Sequence, residues 1–554
     1  MKGINNLFVA ALTLQLISCS KGSSGNNQPT TPTIFQLNST SINGQAPNAN
    51  NYNTSFTPVI RLNFNGRVDK NSVTPAVNLT SENGAVAYQV SYANGDSSLL
   101  IQPASPLLSI SRYNFSISTS LKSTSGASLL SGNNFTFVTK IDSAAKFPTL
   151  TDEELLTKVQ QQTFKYFWDF AHPVSGLARE RNTSGDVVTS GGSGFGIMAI
   201  VTAIHRGFIT RAEGLARLQT IVSFLKDKAQ TFHGAYPHWL NGATGTVVPF
   251  SANDNGADLV ETSFLMQGLL TARQFFSSAD AVETGLRNDI NTIWNRVEWN
   301  WFTKGGESVL YWHWSPSVNW AMNMQIKGWN EALITYVMAA SSTTHPITKA
   351  VYDNGWASNG NMRNGAAHYG ITLPLGPAFG GPLFFAHYSF LGINPRNLTD
   401  AYANYEVQNR NHSLINYNYS KTNPKGYFGY SDSVWGLTAS DIKNGYTASS
   451  PTNDVGVIAP TAALSSFPYT PAESMKTLKF FYYTLGDKIW KEYGFVDAFS
   501  LKEPWFANSF LAIDQGPIII MIENHRSGLL WDLFMSAPEV KVGMRSLGFQ
   551  SPHL

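Results

Sequence analysis

The sequence predicts a multidomain protein in which an all-β sandwich precedes a large all-α domain, and three observations carry that prediction. Apolar residues alternate with period two from about residue 33 to 140, between turns rich in Asn, Gly, Ser and Pro. From Thr151 the apolar period changes to that of a helix and stays so to the C-terminal end. Roughly a dozen helical stretches joined by long aromatic loops suggest an α/α toroid rather than a small bundle.

The elements follow in order. Residues 1–19 read as a lipoprotein signal peptide: Lys2 opens a short basic region, Leu7 to Ile17 is an apolar run too short to span a bilayer, and Leu16-Ile17-Ser18-Cys19 has the form of a bacterial lipobox. Cys19 is then the lipidated first residue. Residues 20–32 form a Ser/Gly/Asn/Pro tether without periodicity. Residues 33–140 form the sandwich, with strands at Val59–Phe64, Tyr113–Ser118 and Asn134–Thr139, and 141–150 the linker. In 151–554, Thr151/Glu154, Thr210/Glu213 and Thr470/Glu473 have the spacing of capping boxes, the last with Pro471 at the first helical position. Further helices are expected near 194–206, 258–276, 284–294, 328–340, 399–415, 456–465 and 513–525. The glycines of Thr189-Ser190-Gly191-Gly192-Ser193-Gly194-Phe195-Gly196 lack the Lys-Ser/Thr of a phosphate loop, and permit a tight helix entry and close backbone approach.

Composition narrows the function. The 554-residue chain has 38 Lys+Arg against 36 Asp+Glu, with 13% charged and 13% aromatic residues. A nucleic-acid binder would show a basic excess, so no nucleic-acid partner is expected. Fourteen Trp, 22 Tyr and 34 Phe offer flat apolar faces that suit a neutral sugar chain. Cys19 is the sole cysteine, which excludes a disulfide framework and a Cys-based zinc site. No cofactor or metal is expected; the oxygens of 253–258 lack the spacing of a calcium loop. A monomer is expected.

The candidate chemistry centres on Asn253-Asp254-Asn255-Gly256-Ala257-Asp258-Leu259-Val260-Glu261, where a polar loop sets two carboxylates at the mouth of an apolar helix. The i, i+3 spacing puts Asp258 and Glu261 on one face, and burial raises a carboxyl pKa. The same pattern is a capping box, so catalysis and capping both stand at this point. His238 and Trp239 precede it and supply a polar ring and a stacking surface. Six tryptophans fall within 299–329, of which Trp312, Trp314 and Trp320 are the candidate sugar-stacking rings, with Trp505 further on. Glu180, Asp186 and Asp454 are further acidic candidates in loops, whereas Asp514 and Glu523 are expected to cap a helix or pair with Arg526.

Gly256-Ala257-Asp258-Leu259-Val260-Glu261-Thr262, Ser193-Gly194-Phe195-Gly196, Ser342-Thr343-Thr344-His345-Pro346-Ile347, Ala459-Pro460-Thr461-Ala462-Ala463 and Ile513-Asp514-Gln515-Gly516-Pro517 together resemble the glucoamylase-like family of bacterial proteins, whose characterised branch is the β-1,2-glucanases. The N-terminal strands resemble bacterial Ig-like modules. The resemblance implies an all-β Ig-like sandwich followed by an all-α (α/α)6 barrel. It implies hydrolysis of β-1,2-glucan with inversion, in an endo mode or with release of short sophoro-oligosaccharides. It marks Glu261 as the acid that protonates the leaving oxygen, and Glu180, Asp186 and Asp454 as candidates for the base. Glu180 stands where relatives are expected to carry Asp. The implied location is the Gram-negative cell envelope, through the lipid on Cys19. Two other classes fit an aromatic, helical chain: a non-catalytic glycan-capture lipoprotein, and a polysaccharide lyase with Tyr or His as base.

Overall fold

The computed structural model describes residues 34–554, so Cys19, the tether and Thr33 lie outside the described residues. These residues divide into two compact units, 34–108 with 112–139, and 109–111 with 140–554.

The first unit consists of two sheets. One has the order β1–β3–β7–β6, built from Leu37–Ile42, Ile60–Phe64, Ser98–Pro103 and Tyr88–Ala93. The other has the order β2–β9–β8–β4–β5, from Asn51–Thr54, Asn133–Thr139, Arg112–Ile117, Val77–Ser81 and Gly84–Ala85. Strand β3 shows why the period-two pattern folds this way: Ile60, Leu62 and Phe64 are buried while Arg61 and Asn63 are half-exposed. These residues share one core with Leu99, Ile101, Phe115 and Phe137. The parallel pairing of β2 with β9 is the exception in otherwise antiparallel ladders.

The second unit is helical. Its main helices are α1 (Asp152–Trp168), α2 (Ser190–His205), α3 (Arg211–Asp227), α4 (Leu259–Phe275), α5 (Ala281–Arg296), α6 (Leu333–Ser341), α7 (Tyr405–Thr422), α8 (Pro460–Leu464), α9 (Pro471–Lys479), α10 (Ala512–Arg526), α11 (Leu529–Ser536) and α12 (Pro538–Leu547). They are of two kinds. Helices α2, α4, α6 and α10 are buried on nearly every side, whereas α1, α3, α5 and α12 bury one stripe. Helix α2 packs on both α4 and α10, and α4 on α6, so the fully buried helices neighbour one another and the amphipathic ones lie against them.

The capping boxes at Thr151/Glu154 and Thr210/Glu213 are formed. The one at Thr470/Glu473 is not: Thr470 makes no side-chain cap bond, and its hydroxyl donates instead to the Ser466 carbonyl, 3.2 Å away. The expected pairing of Glu523 with Arg526 is also replaced. Glu523 takes a bidentate bond from Arg206 at 2.7 and 2.8 Å, while Arg526 reaches Glu153 and Gln160. Asp514 forms neither a cap nor an ion pair.

Candidate active site

The N-termini of α2 and α4 meet here, and the glycines expected to allow close approach do so. A Cβ on Gly194 would run into the Phe264 carbonyl, and one on Gly268 into the Gly194 carbonyl, so these two helices cross with backbone against backbone. The crossing places Gly191, in the first turn of α2, directly on the Glu261 carboxylate.

Asp258 and Glu261 divide the roles that the sequence left open. Asp258 Oδ1 accepts the amides of Val260 (3.0 Å) and Glu261 (2.9 Å), so Asp258 is the N-cap of α4. Glu261 does not turn back to complete a box. Its Oε2 instead accepts the Gly191 N–H at 2.8 Å and the Thr189 hydroxyl at 3.3 Å, across the gap to α2. The residue is 7% exposed. Burial and the nearby Asp258 charge raise its pKa, against the opposing pull of His238 and the two donors.

A short sheet brings the other partners in. Ala257–Asp258 pairs antiparallel with His313–Trp314, and Leu259 N–H donates to the Trp312 carbonyl. His313 Nε2 thereby lies 3.4 Å from both Asp258 Oδ2 and Asp254 Oδ2. His238 Nδ1 donates to Asp258 Oδ2 at 3.2 Å, and its Nε2 lies 4.0 Å from Glu261 Oε1. Burial works against a charge on His238, but Glu261, Asp258 and Asp254 outweigh it and lift its pKa to about 9. The same contest leaves the His313 pKa raised. Asp258 is held well below the usual carboxylate range: burial opposes ionisation, and the two imidazoles overcome it. Asp254, buried beside Asp258, rises to about 6. Glu331, pushed up to about 7 by burial and by the charges of Glu261 and Asp258, belongs to the same field.

This arrangement sets the Glu261 carboxyl, its pKa raised by burial, at the end of a row of alternating carboxylates and imidazoles, which suits a general acid. Donor atoms of His238, Asp254 and Asp258 lie within 4.8 Å of one another, close enough to ligate a cation, although His238 and His313 already engage those oxygens.

Trp239, Trp312 and Trp314 adjoin the histidines of this row. Trp239 meets the His238 ring edge-on at 5.8 Å, and Phe250, half-exposed, stacks on it at 4.3 Å. Trp312 and Trp314 are half-buried on either side of His313, and Trp320 stacks on Trp301 at 4.8 Å. Trp299 and Trp329 lie in the core instead. Trp505 is half-buried in a two-residue strand paired with Phe499–Ser500.

The remaining carboxylates are distributed differently. Asp454 is buried and accepts from the hydroxyls of Tyr430 (2.8 Å) and Tyr419 (3.1 Å) and from Gly456 N–H (2.9 Å). Glu180 accepts two bonds from Arg181 Nε. Asp186 is mostly exposed and lies 3.2 Å from His172 Nε2. Sequence reasoning missed Thr189 and Gly191 as partners of Glu261, and passed over His313, Asp254 and Glu331 as site residues. Their sequence signals are weak because each gains its role only through contacts or charges brought together from distant segments of the chain.

Known proteins share this architecture. A family model described as "Putative glucoamylase" matches residues 323–538, and one described as "Bacterial Ig-like domain" matches 38–139. A solved structure described as a putative glucoamylase from Bacteroides uniformis is 56% identical, covering 74% of this chain and 100% of its own, with a TM-score of 0.73. An endo-β-1,2-glucanase from Chitinophaga pinensis, in complex with sophorotriose and glucose, is 51% identical over 73% of this chain and 100% of its own, with a TM-score of 0.72. A curated relative, the exo β-1,2-glucooligosaccharide sophorohydrolase (non-reducing end) of Parabacteroides distasonis, is 48% identical over 428 residues, or 73% of this chain. This chain spans 59% of that relative's length. Identity above one half along the full length of solved relatives decides the affiliation: the chain belongs to the glucoamylase-like family of bacterial proteins, with a bacterial Ig-like domain preceding its helical domain.

Proposed function

We propose that this protein is a glycoside hydrolase that cleaves β-1,2-glucan, with Glu261 protonating the leaving glycosidic oxygen. The observation that carries the reading is the Glu261 carboxyl itself, buried, lifted in pKa and clamped by Gly191 rather than spent on its own helix cap. The activities named for the Chitinophaga and Parabacteroides relatives support β-1,2-linked glucose as the substrate. The test is incubation with linear β-1,2-glucan beside β-1,3-glucan, β-1,4-glucan and starch. Selective cleavage of the first is expected, and no turnover of it would sink the reading. Mixed oligomers would mark endo action, and a single short product exo action.

The reaction is inverting in this proposal, so the first product seen by NMR is the α-anomer; the β-anomer would mean retention. Asp454, Glu180 and Asp186 are the candidates for the base, separable by azide rescue of their amide variants. Trp239, Trp312, Trp314, Trp320 and Trp505, with His238, line the sugar subsites, and the buried helices α2, α4, α6 and α10 form part of the inner ring of an (α/α)6 barrel. The protein acts as a monomer held to the cell envelope by lipid on Cys19. Radiolabelled fatty acid should enter the wild type and not Cys19→Ala.

A further inference from the structure

Outside the Glu261 row lies a second group of buried carboxyls that this mechanism does not use. Asp497 and Asp514 are 2% and 1% exposed. Among the described residues no donor reaches either oxygen of Asp514 or Oδ1 of Asp497. What faces Asp514 is the Asp497 carboxyl, at hydrogen-bonding range. Two ionised carboxylates cannot hydrogen-bond to each other, and burying both side by side would cost far more than keeping one neutral.

The pair sits at a junction. Asp514 lies in the first turn of α10, whose first residue, Ala512, donates its N–H to the Glu180 carbonyl at 3.0 Å. Asp497 Oδ2 accepts the Asp441 N–H at 2.7 Å, in the hairpin of Ala439–Ile442 and Gly445–Ala448. The Asp441 carboxylate takes the Ser509 hydroxyl at 2.5 Å and Arg181 Nη1 at 3.2 and 3.3 Å, and Arg181 Nε holds Glu180. Glu180 in turn donates its N–H to Val187, one strand position from the Val188–Thr189 segment that delivers Thr189 and Gly191 to Glu261. Asp441, Arg181, Tyr446 and Tyr388 are the charged and titratable groups that act on this pair.

We propose that Asp497 and Asp514 share one proton and act as a positioning pair, fixing the 439–448 hairpin and, through Asp441, the Arg181–Glu180 ion pair beside the clamp on Glu261. The kinetic part rests on the hydrolase reading above; the shared proton does not. With Asp514 neutral, its O–H donates to Asp497, and Asp497 keeps its charge for the Asp441 amide. The proton moves only between the two carboxyls, so the pair titrates as a unit.

Infrared difference spectra between wild type and Asp514→Asn test the proton directly. A buried carboxylic-acid carbonyl stretch at neutral pH, lost in the variant, is expected; its absence from the wild type would overturn the shared proton. Asp514→Asn still donates to Asp497, so KM on β-1,2-glucan should stay within about twofold, whereas Asp514→Leu should raise KM about tenfold or more. Equal impairment of the two would show that the hydrogen bond is not what matters. Asp441→Asn breaks the route downstream: it should raise KM while leaving the infrared band intact, and an unchanged KM would overturn the positioning role even if Asp514→Leu fails to fold. Should wild type leave β-1,2-glucan uncut, the hydrolase reading falls, and the infrared band still decides the shared proton.

Discussion

At Glu261 two effects oppose each other. Burial favours the protonated acid, whereas His238, the Gly191 amide and the position in the first turn of a helix favour the carboxylate. Burial prevails and the Glu261 pKa is raised, the direction the proposed general acid requires. Glu261→Gln should lower kcat on β-1,2-glucan by roughly 10²–10⁴-fold with an unchanged circular dichroism spectrum; near-normal turnover would remove Glu261 from the role. His238 gives a stability prediction with a definite sign. Its pKa rises from 6.5 to about 9 on folding, so its contribution is complete below the unfolded pKa and is lost as pH rises through the folded one. The stability gap between wild type and His238→Asn, measured as urea midpoints, should therefore be widest near pH 6 and should close towards pH 9–10, about the folded pKa. A gap that is flat or widens over that range would show that the carboxylates do not sustain the imidazolium.

Helices α2 and α4 owe their crossing to glycine. Gly194 and Gly268 face each other with no room for a methyl group on either, since an added Cβ would meet carbonyl oxygens rather than a side chain that could swing away. Gly268→Ala should destabilise the protein by about 1–3 kcal/mol, seen as a lowered urea midpoint with an unchanged slope. Gly191→Ala acts differently on the same helix. Its Cβ would displace the Glu261 carboxyl from its clamp, so kcat should fall about tenfold or more, the scale of a lost hydrogen bond, with little change in the urea midpoint. If activity holds while the midpoint falls, the Gly191 contact is only packing.

Over the whole molecule, each of the two units has a hydrophobic core of its own, apart from a small third cluster around Trp435 in the helical unit. Solved relatives match the helical part along their entire length while covering about three quarters of this chain. A fragment of residues 140–554 should therefore fold and keep kcat on soluble oligosaccharide within about twofold of the full chain, a change of about 0.4 kcal/mol at most; loss of folding would show that the Ig-like unit is needed. The sequence alone determined the two kinds of domain, because hydrophobic periods of 2 and 3.6 are local and survive without any knowledge of partners. It also showed that Asp258 and Glu261 stand at the mouth of one apolar helix and that the 189–196 glycines invite close approach, although Asp258 is the extended cap and not a residue of a shared helical face. Only the tertiary structure decided that Asp258 is the cap and that the Glu261 carboxyl is clamped across to the neighbouring helix, since the deciding donors, Thr189 and Gly191, lie 72 and 70 residues away in the chain. It likewise joined Asp254, His313 and Glu331 to the site, and Asp497 to Asp514. Charges become coupled through space and burial, and neither is written in the spacing of residues along one chain segment.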